Sequence, residues 1–245
     1  MIDWHSHILP GIDDGPAEMD QSIAMAAALS AAGFTTVYCT PHLMRGVYEA
    51  TNDQVRRGVE ELQGRVRDSG IPLTLLPGRE YWLDEYLPVA LDDPLPLGES
   101  RLILVEIPPR LTGEMVRRLL YDVVRAGFTP VVAHPERCPL LEPVVRTAHG
   151  SGLMGSLKGL FGVRPRMTAE QEAPDATGNQ LLDYLRDLGC CFQGNLGSFN
   201  GFYGGHVRAV AGRMRTLEVC DRYGSDLHAP EQAHLILGPE GRGLA

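Results

Sequence analysis

The segment DWHSH (residues 3–7) sets the interpretation of the whole chain. In an extended strand the side chains alternate between faces, so Asp3, His5 and His7 point the same way along a row of about 7 Å. Two histidines at this spacing are typical of a metal-binding strand end, although two solvent-facing histidines would give the same pattern. The rest of the chain must decide between a metal site and an exposed strand end.

Short apolar runs recur along the chain. They are MIDWH (1–5), FTTVYCT (34–40), PLTLLPG (72–78), RLILVEI (101–107), FTPVVAH (128–134), CCFQGNL (190–196) and, less clearly, LEVCDRYGSD (217–226). Strands that alternate with helices pair in parallel through right-handed crossovers. Seven such runs therefore predict an α/β fold with a closed or nearly closed barrel.

Helical patterns fill three of the intervals between these runs. Residues 17–32 are rich in alanine and end before Gly33, and residues 52–69 begin at Asn52, a suitable N-cap. Residues 113–126 place Met115, Leu119, Leu120 and Val123 at helical spacing. These three segments are predicted to be helices that pack their apolar faces on the sheet.

Composition limits the class of protein. A chain of 245 residues with 44% hydrophobic content can form one large domain, and a net charge of −9 argues against nucleic acid as a partner. Five cysteines without a CxxC spacing indicate reduced thiols. The sequence contains neither a membrane-spanning apolar run nor a signal segment, so we expect a cytoplasmic protein without membrane insertion.

Residues 149–180 interrupt the alternation of strands and helices. This stretch is rich in Gly, Pro and polar residues, and it contains a small basic cluster of Lys158, Arg164 and Arg166. We expect a loop insertion in contact with solvent, and the alternative is a lid that meets an anionic substrate.

Candidate metal ligands stand where the predicted strands end. They are His5, His7, His42, Glu80, Glu106, His134, Asp226 and His228. Each has an ordinary explanation on its own, since His134 could be a core histidine and Glu106 an edge carboxylate. In a β/α barrel, however, all of these positions meet at the face that carries active sites. A set of buried carboxylates also needs positive charge nearby, which divalent cations would provide.

The motifs DWHSHILPGIDDGP, TPH, GRE, VEIP, AHPER and GSDLH resemble, in this order, the PHP (polymerase and histidinol phosphatase) superfamily. Within it they are similar to the bacterial tyrosine-protein phosphatases of capsular and exopolysaccharide loci. The resemblance implies a distorted seven-stranded (β/α)7 barrel with its active site at the C-terminal strand ends. It implies one PHP-type domain over residues 1–245, with the insertion at 149–180 and a C-terminus shorter than is usual for the family.

The resemblance also implies a centre of two or three divalent metal ions, most often Mn, with Fe and Zn as alternatives. One ion would be held by His5, His7, Glu80 and Asp226, a second by Glu80, Glu106 and His134, and a third by Asp14, His42 and His228. Arg137 would hold the phosphate as a catalytic residue. The alternatives are a turn role for Asp14 and a surface salt bridge for Arg137.

The implied function is hydrolysis of phosphotyrosine on a protein, with a bacterial tyrosine autokinase of capsule or exopolysaccharide synthesis as the expected partner. Two alternatives keep the same metals: a phosphoesterase for a small substrate such as histidinol phosphate, and a catalytically weak regulatory module. Cys39 and Arg45 in CTPHLMR also match the CxxxxxR spacing of cysteine phosphatases, but Pro41 lacks the N–H that a phosphate loop needs. Whether the protein forms a homo-oligomer stays open.

Overall fold

The strands are short and begin close to the predicted apolar runs. The computed structural model describes residues 1–144 and 177–238. Within these ranges there are nine strands: β1 (Ile2–Ser6), β2 (Thr36–Cys39), β3 (His42–Leu43), β4 (Thr74–Pro77), β5 (Glu80–Trp82), β6 (Leu102–Glu106), β7 (Thr129–Ala133), β8 (Cys191–Asn195) and β9 (Arg222–Gly224).

Helices connect most of the strands. In the described ranges they are α1 (Met19–Ala31), α2 (Asn52–Asp68), α3 (Leu87–Ala90), α4 (Gly113–Arg125), α5 (Gln180–Asp187), α6 (Leu196–Phe199), α7 (Gly205–Thr216) and α8 (Ala233–Ile236). Three short 3-10 turns cover Pro135–Arg137, Pro139–Leu141 and Pro230–Gln232. In the part of the chain that is described, none of the helices is long and apolar enough to span a membrane.

All strand pairs are parallel, which confirms the predicted α/β class. The strands form two sheets, of order β1-β2-β4 and β3-β5-β6-β7-β8-β9, and their ladders do not close into the single barrel that was predicted. The division falls where Pro41 interrupts the path from β2 to β3, because proline has no N–H to donate. Two backbone hydrogen bonds bridge the division, from Gly78 to Cys39 (3.0 Å) and from Glu80 to Pro41 (3.2 Å).

The first and last strands meet in the interior. His7 N donates to Leu227 O at 3.0 Å, and Asp226 N donates to His5 O at 2.7 Å. The fully buried Asp3 accepts hydrogen bonds from the Ser225 N–H (2.7 Å) and hydroxyl (2.6 Å). These contacts bring the C-terminal end of β9 beside that of β1.

Helix α2 packs one apolar face on the sheet, and its buried residues Val55, Val59, Leu62 and Val66 are those expected from the spacing. The predicted Asn52 cap is wrong. Thr51 is the N-cap, and its hydroxyl accepts from Gln54 N at 3.2 Å, which satisfies one of the free N–H groups at the helix start.

Helix α4 also deviates from the prediction at one position. Leu119, Leu120 and Val123 are buried as predicted, but Met115 is 37% exposed and Val116 takes the buried position. The helix begins at a Thr112 cap, which sets the rotation of its first turn. Most of the predicted insertion at 149–180, including its basic cluster, lies outside the described residues, as does the segment after Gly238.

The contact of β9 with β1 leaves no room for a side chain at Gly224. A Cβ there would lie 2.6 Å from His5 Cβ and 2.7 Å from His5 N. Gly224→Ala is expected to lower the free energy of unfolding by about 2 kcal/mol or more, because the backbone of β1 must shift. Urea denaturation measures this change.

Gly64→Ala is the matched control, because a Cβ at Gly64 in α2 meets nothing within 4 Å. It should raise the stability by about 0.5–1 kcal/mol through the better helix propensity of alanine. Equal stability of Gly224→Ala and the unmodified protein would contradict the close approach of the two strands.

Candidate metal centre

Two fully buried histidines stand at the end of β1. His5 Nδ1 lies 2.7 Å from Gln193 Oε1, and His7 Nδ1 lies 2.7 Å from Asp13 Oδ2. An Nδ1–H that donates to these oxygens leaves the Nε2 lone pair of each ring free. The two Nε2 atoms are 3.0 Å apart, so their lone pairs face a common point.

Two carboxylates meet the same point. Glu80 Oε2 lies 3.2 Å from His5 Nε2 and 3.3 Å from His7 Nε2, and Asp226 Oδ1 lies 3.3 Å from each of these nitrogens. Four ligands at roughly 2.0–2.1 Å from a tetrahedral ion would be about 3.3 Å apart. His5, His7 and Glu80 therefore lie close enough together to share one divalent transition-metal ion, and Asp226 is within 3.3 Å of both histidine nitrogens.

The second oxygen of Glu80 faces another pair of candidate ligands. His134 Nε2 lies 3.2 Å from Glu80 Oε1 and 3.8 Å from Glu106 Oε1. Glu80 is at the start of β5, Glu106 ends β6 and His134 follows β7. A carboxylate that faces two groups of ligands with different oxygens is suited to bridge two ions.

A third group lies nearer the solvent. Asp14 Oδ1 is 3.5 Å from His228 Nε2, 3.7 Å from His42 Nε2 and 4.0 Å from His7 Nδ1. The Asp14 side chain is 46% exposed, whereas His7 is fully buried and its ring stacks on that of His228 at 4.0 Å. With this group, the structure brings all nine predicted ligands to one end of the sheets.

Two of these residues adopt a left-handed backbone conformation, which costs energy for residues other than glycine. His134 has φ 32° and Asp226 has φ 51°, and each follows the end of a strand. In the described residues only Glu218 shares this feature among non-glycine positions. Left-handed backbone at such residues is found mainly where function or packing holds it, and here it turns both side chains into the centre.

The charges in the centre oppose one another strongly. Burial and the neighbouring Glu80 carboxylate raise the pKa of Glu106 to about 8. For His5, burial lowers the pKa, but the nearby carboxylates of Glu80 and Asp226 outweigh it and raise the pKa to about 9. A proton on both Nε2 atoms of His5 and His7 is incompatible with their 3.0 Å separation, so a cation in front of both lone pairs would offset the negative charge of the carboxylates better than two protons.

Two buried polar atoms of the centre have no hydrogen-bond partner: Glu80 Oε2 and His42 Nδ1. They lie 3.0 Å apart, and Glu80 is 1% exposed. A buried carboxylate oxygen without a donor carries a large desolvation cost. The mixture of imidazole and carboxylate fits Mn, Fe or Zn better than Mg or Ca, which prefer oxygen ligands.

Arg137 lies in the wall of the cavity above the centre, and its side chain is 31% exposed. Its Nη1 donates to Asp226 Oδ2 at 2.7 Å, and its guanidinium carbon lies 4.5 Å from the centre of the Tyr203 ring. The ion pair is thus with a buried carboxylate, not with a surface group. The remaining guanidinium N–H groups can meet an anion in the cavity.

The sequence did not identify the side chains that orient the ligands. Asp13 contacts His7, Gln193 contacts His5, and Asn195 Nδ2 donates to Asp226 Oδ2 at 2.8 Å. The sequence GIDDG does not distinguish the roles of its two aspartates. The structure shows that Asp13 is the one that faces the Nδ1 atom of His7. Gln193 and Asn195 lie in β8, where alternation placed them on an interior face without any motif.

Cys39 is fully buried in β2, and burial raises the pKa of its thiol, with the Asp3 carboxylate adding to this effect. Arg45, its partner in the CxxxxxR spacing, is exposed and lies 3.9 Å from the centre of the Tyr86 ring. Tyr86 and Arg45 border a different cavity from the one above the ligands. The two residues therefore do not form a phosphate loop.

A cavity of about 600 Å³ opens above the ligands. Its floor consists of Asp14, His42, Glu80, Glu106, His134, Asp226 and His228. Its walls carry Arg137 and several apolar and aromatic side chains: Met44, Val47, Tyr48, Trp82, Phe202 and Tyr203. A polar floor with one arginine beneath an apolar mouth suits a ligand with one anionic end and one apolar part.

Three curated proteins with similar sequences are named as tyrosine-protein phosphatases, one of them as putative. Tyrosine-protein phosphatase YwqE of Bacillus subtilis (strain 168) is 37% identical over 172 residues, which are 66% of this chain and 68% of YwqE. Putative tyrosine-protein phosphatase CapC of Staphylococcus aureus is 28% identical over 56% of this chain and 54% of CapC. Tyrosine-protein phosphatase CpsB of Streptococcus pneumoniae is 29% identical over 58% of this chain and 59% of CpsB.

The fold is also similar to a solved structure from work on YwqE of Bacillus subtilis and CpsB of Streptococcus pneumoniae, described there as unique metal-dependent tyrosine phosphatases. The TM-score is 0.73 at 29% identity, and the match covers 99% of this chain and 90% of the other. The model of the family described as "Capsular polysaccharide synthesis, CpsB/CapC" matches residues 1–156. The predicted relationship is confirmed: the chain belongs to the CpsB/CapC family.

Proposed function

We propose that this protein is a metal-dependent protein-tyrosine phosphatase that hydrolyses phosphotyrosine on a bacterial tyrosine autokinase of capsule or exopolysaccharide synthesis. The observation that carries the proposal is the crowding of imidazole and carboxylate atoms around Glu80, at 3.0–3.3 Å, beneath a cavity with Arg137 in its wall. The relatives named as tyrosine phosphatases and the capsular family support the substrate class.

The ligand assignment follows the three groups of side chains. The first ion is assigned to His5, His7, Glu80 and Asp226, the second to Glu80, Glu106 and His134, and the third to Asp14, His42 and His228. The short distances within the first two groups and the partnerless Glu80 oxygen support this assignment. Manganese is the proposed metal, and the donor set supports a transition metal in general.

Bound divalent cations would supply an activated water and positive charge for the phosphoryl oxygens. Arg137 donates to the phosphate from the cavity wall, where its side chain is preorganised by Asp226 and Tyr203. Asp13 and Gln193 hold the His7 and His5 rings in the orientation that exposes Nε2. The leaving group is an aryl oxide with a pKa near 10, so it needs less proton donation than an alkoxide does.

The proposal includes a seven-stranded barrel within a single domain over residues 1–245. Here β2 and β3 count as one interrupted strand of the barrel, and β4 and β5 count as another. The hydrogen bonds that bridge Pro41 to Glu80 and Cys39 to Gly78 support the two interrupted strands. The contacts between β1 and the segment after β9 support closure of the ring. A cytoplasmic location is proposed because the five cysteines carry no disulfide spacing.

The direct test is removal of metal. A chelator should abolish hydrolysis of a phosphotyrosine peptide, and Mn(II) should restore it, because without cations the pKa of the attacking water is not lowered and the phosphoryl charge is not stabilised. Metal analysis of the purified protein should find two or three transition-metal ions per chain. Full activity of metal-free protein would contradict the mechanism, and a tenfold or greater preference for histidinol phosphate would contradict the substrate class.

Arg137→Ala should lower kcat/KM for a phosphotyrosine peptide by about 10- to 1000-fold, because a charge-assisted contact to the phosphoryl group is lost. Arg137→Lys keeps the charge without the two-pronged donor, so its loss should be smaller. Both proteins should keep their metal, since Asp226 Oδ2 still accepts from Asn195. Steady-state kinetics with metal analysis measures both effects, and an unchanged kcat/KM would remove the phosphate role.

Cys39→Ser and Cys39→Ala should each retain at least about half of the activity, because the buried thiol is not the nucleophile. Alkylating reagents should react slowly with Cys39, since burial raises the pKa of the thiol. Phosphatase assays before and after iodoacetamide treatment check this. Inactive, folded, metal-loaded Cys39 variants would instead favour cysteine chemistry.

A further inference from the structure

Two neighbouring aromatic residues stand at the mouth of the cavity. Phe202 and Tyr203 lie on the turn between α6 and α7, and both border the cavity. Phe202 is 36% exposed, so much of its aromatic ring remains in contact with solvent. Exposure alone needs no explanation, but this ring also borders the candidate catalytic cavity, so it is open to contact with a ligand there.

The turn holds this ring in a defined position. Phe202 N donates to Gly197 O at 2.9 Å, and Gly204 N donates to Gly201 O at 3.0 Å. Gly201 and Gly204 have φ values of 82° and 92°, so both ends of the turn use left-handed backbone that other residues rarely adopt. The exposed ring is therefore carried by a hydrogen-bonded turn and is preorganised.

The Phe202 ring is also connected to the proposed phosphate donor. Its centre lies 4.9 Å from that of Tyr203 with an interplanar angle of 88°, an edge-to-face contact. The guanidinium carbon of Arg137 lies 4.5 Å from the centre of the Tyr203 ring, and the Tyr203 hydroxyl lies 3.2 Å from Asn195 Nδ2. Arg137 and Phe202 are thus separated by one aromatic ring, in a single packed unit.

Other aromatic side chains of the cavity are less suited to meet a ligand ring. Tyr203 already packs against Arg137 with its ring, and Tyr48 stacks on the candidate ligand His42 with ring centres 5.7 Å apart. Phe202 stands furthest toward solvent among the four aromatic residues of the cavity, since Tyr48, Trp82 and Tyr203 are each partly buried. It is the aromatic residue best placed to contact the organic part of a phosphate ester held at Arg137.

We infer that Phe202 is a specificity-determining residue whose ring packs against the aromatic ring of an aryl phosphate while Arg137 holds the phosphate. The inference rests on the proposed function and deepens it, because it explains preference for phosphotyrosine over alkyl phosphates by contact. An aryl–aryl contact adds to the advantage of the aryl oxide as leaving group. Preference for aromatic substrates then has two separable physical sources.

Binding of phosphonates separates these two sources, because phosphonates have no leaving group. Isothermal titration calorimetry of the Mn(II)-loaded protein compares phenylphosphonate with methylphosphonate. Phe202→Ala should raise the Kd of phenylphosphonate more than that of methylphosphonate, which lowers the preference for the aryl ligand by about 5- to 20-fold. Phe202→Leu keeps apolar area without the ring and should lose an intermediate part of this preference.

Tyr86→Ala is the matched control. Tyr86 is another exposed aromatic residue, 44% exposed, with the Arg45 guanidinium 3.9 Å from its ring centre, but it borders a different cavity. Its substitution should leave the preference for phenylphosphonate unchanged. Thermal denaturation of each variant verifies that the protein is folded before titration.

Each outcome decides the inference. An unchanged aryl preference in Phe202→Ala overturns it, as does equal weakening of both phosphonates, which would mean that Phe202 only supports Arg137. Failure of the unmodified protein to prefer phenylphosphonate also overturns it. If the aryl preference depends on Phe202 while phosphotyrosine peptides are not hydrolysed, the inference stands and the proposed function fails.

Discussion

The carboxylate of Glu80 is the constraint on which the candidate centre depends. Its two oxygens lie 3.0–3.3 Å from imidazole nitrogens of His5, His7, His42 and His134, which come from different strand ends. A carboxylate that is 1% exposed cannot be held there without compensating positive charge. The strand ends, the surrounding hydrogen bonds and the strained residues all bring cationic or cation-binding groups to this one side chain.

The polar environment of the centre is built in layers. Asp13 and Gln193 contact the outer nitrogens of His7 and His5, while Asn195 and Arg137 share the outer oxygen of Asp226. Further out, Glu136 Oε1 accepts from Asn195 N at 2.9 Å and from the Ser198 hydroxyl at 2.7 Å. Each layer restricts the rotation of the one inside it, which is how protein sites keep ligand geometry before an ion binds.

The sequence indicated that the candidate ligand side chains would lie together, because parallel strands bring their C-terminal ends to one face. It could not distinguish Asp13 from Asp14, since their roles depend on the path of the turn after β1. It also placed Met115 on the buried face of α4, where the rotation set by Thr112 exposes it. The division into two sheets depends on hydrogen bonds at Pro41, and residue periodicity does not report these.

The meeting of β1 with the segment after β9 has a consequence for the order of folding. The two histidines at the end of β1 are far in sequence from Asp226 and His228, and the hydrogen bond from Ser225 to Asp3 spans 222 positions. Such a junction closes a very long loop, so it forms late for entropic reasons and raises the contact order of the fold. The candidate centre is therefore complete only after this junction has formed, so any affinity for an ion depends on a late, long-range step of folding.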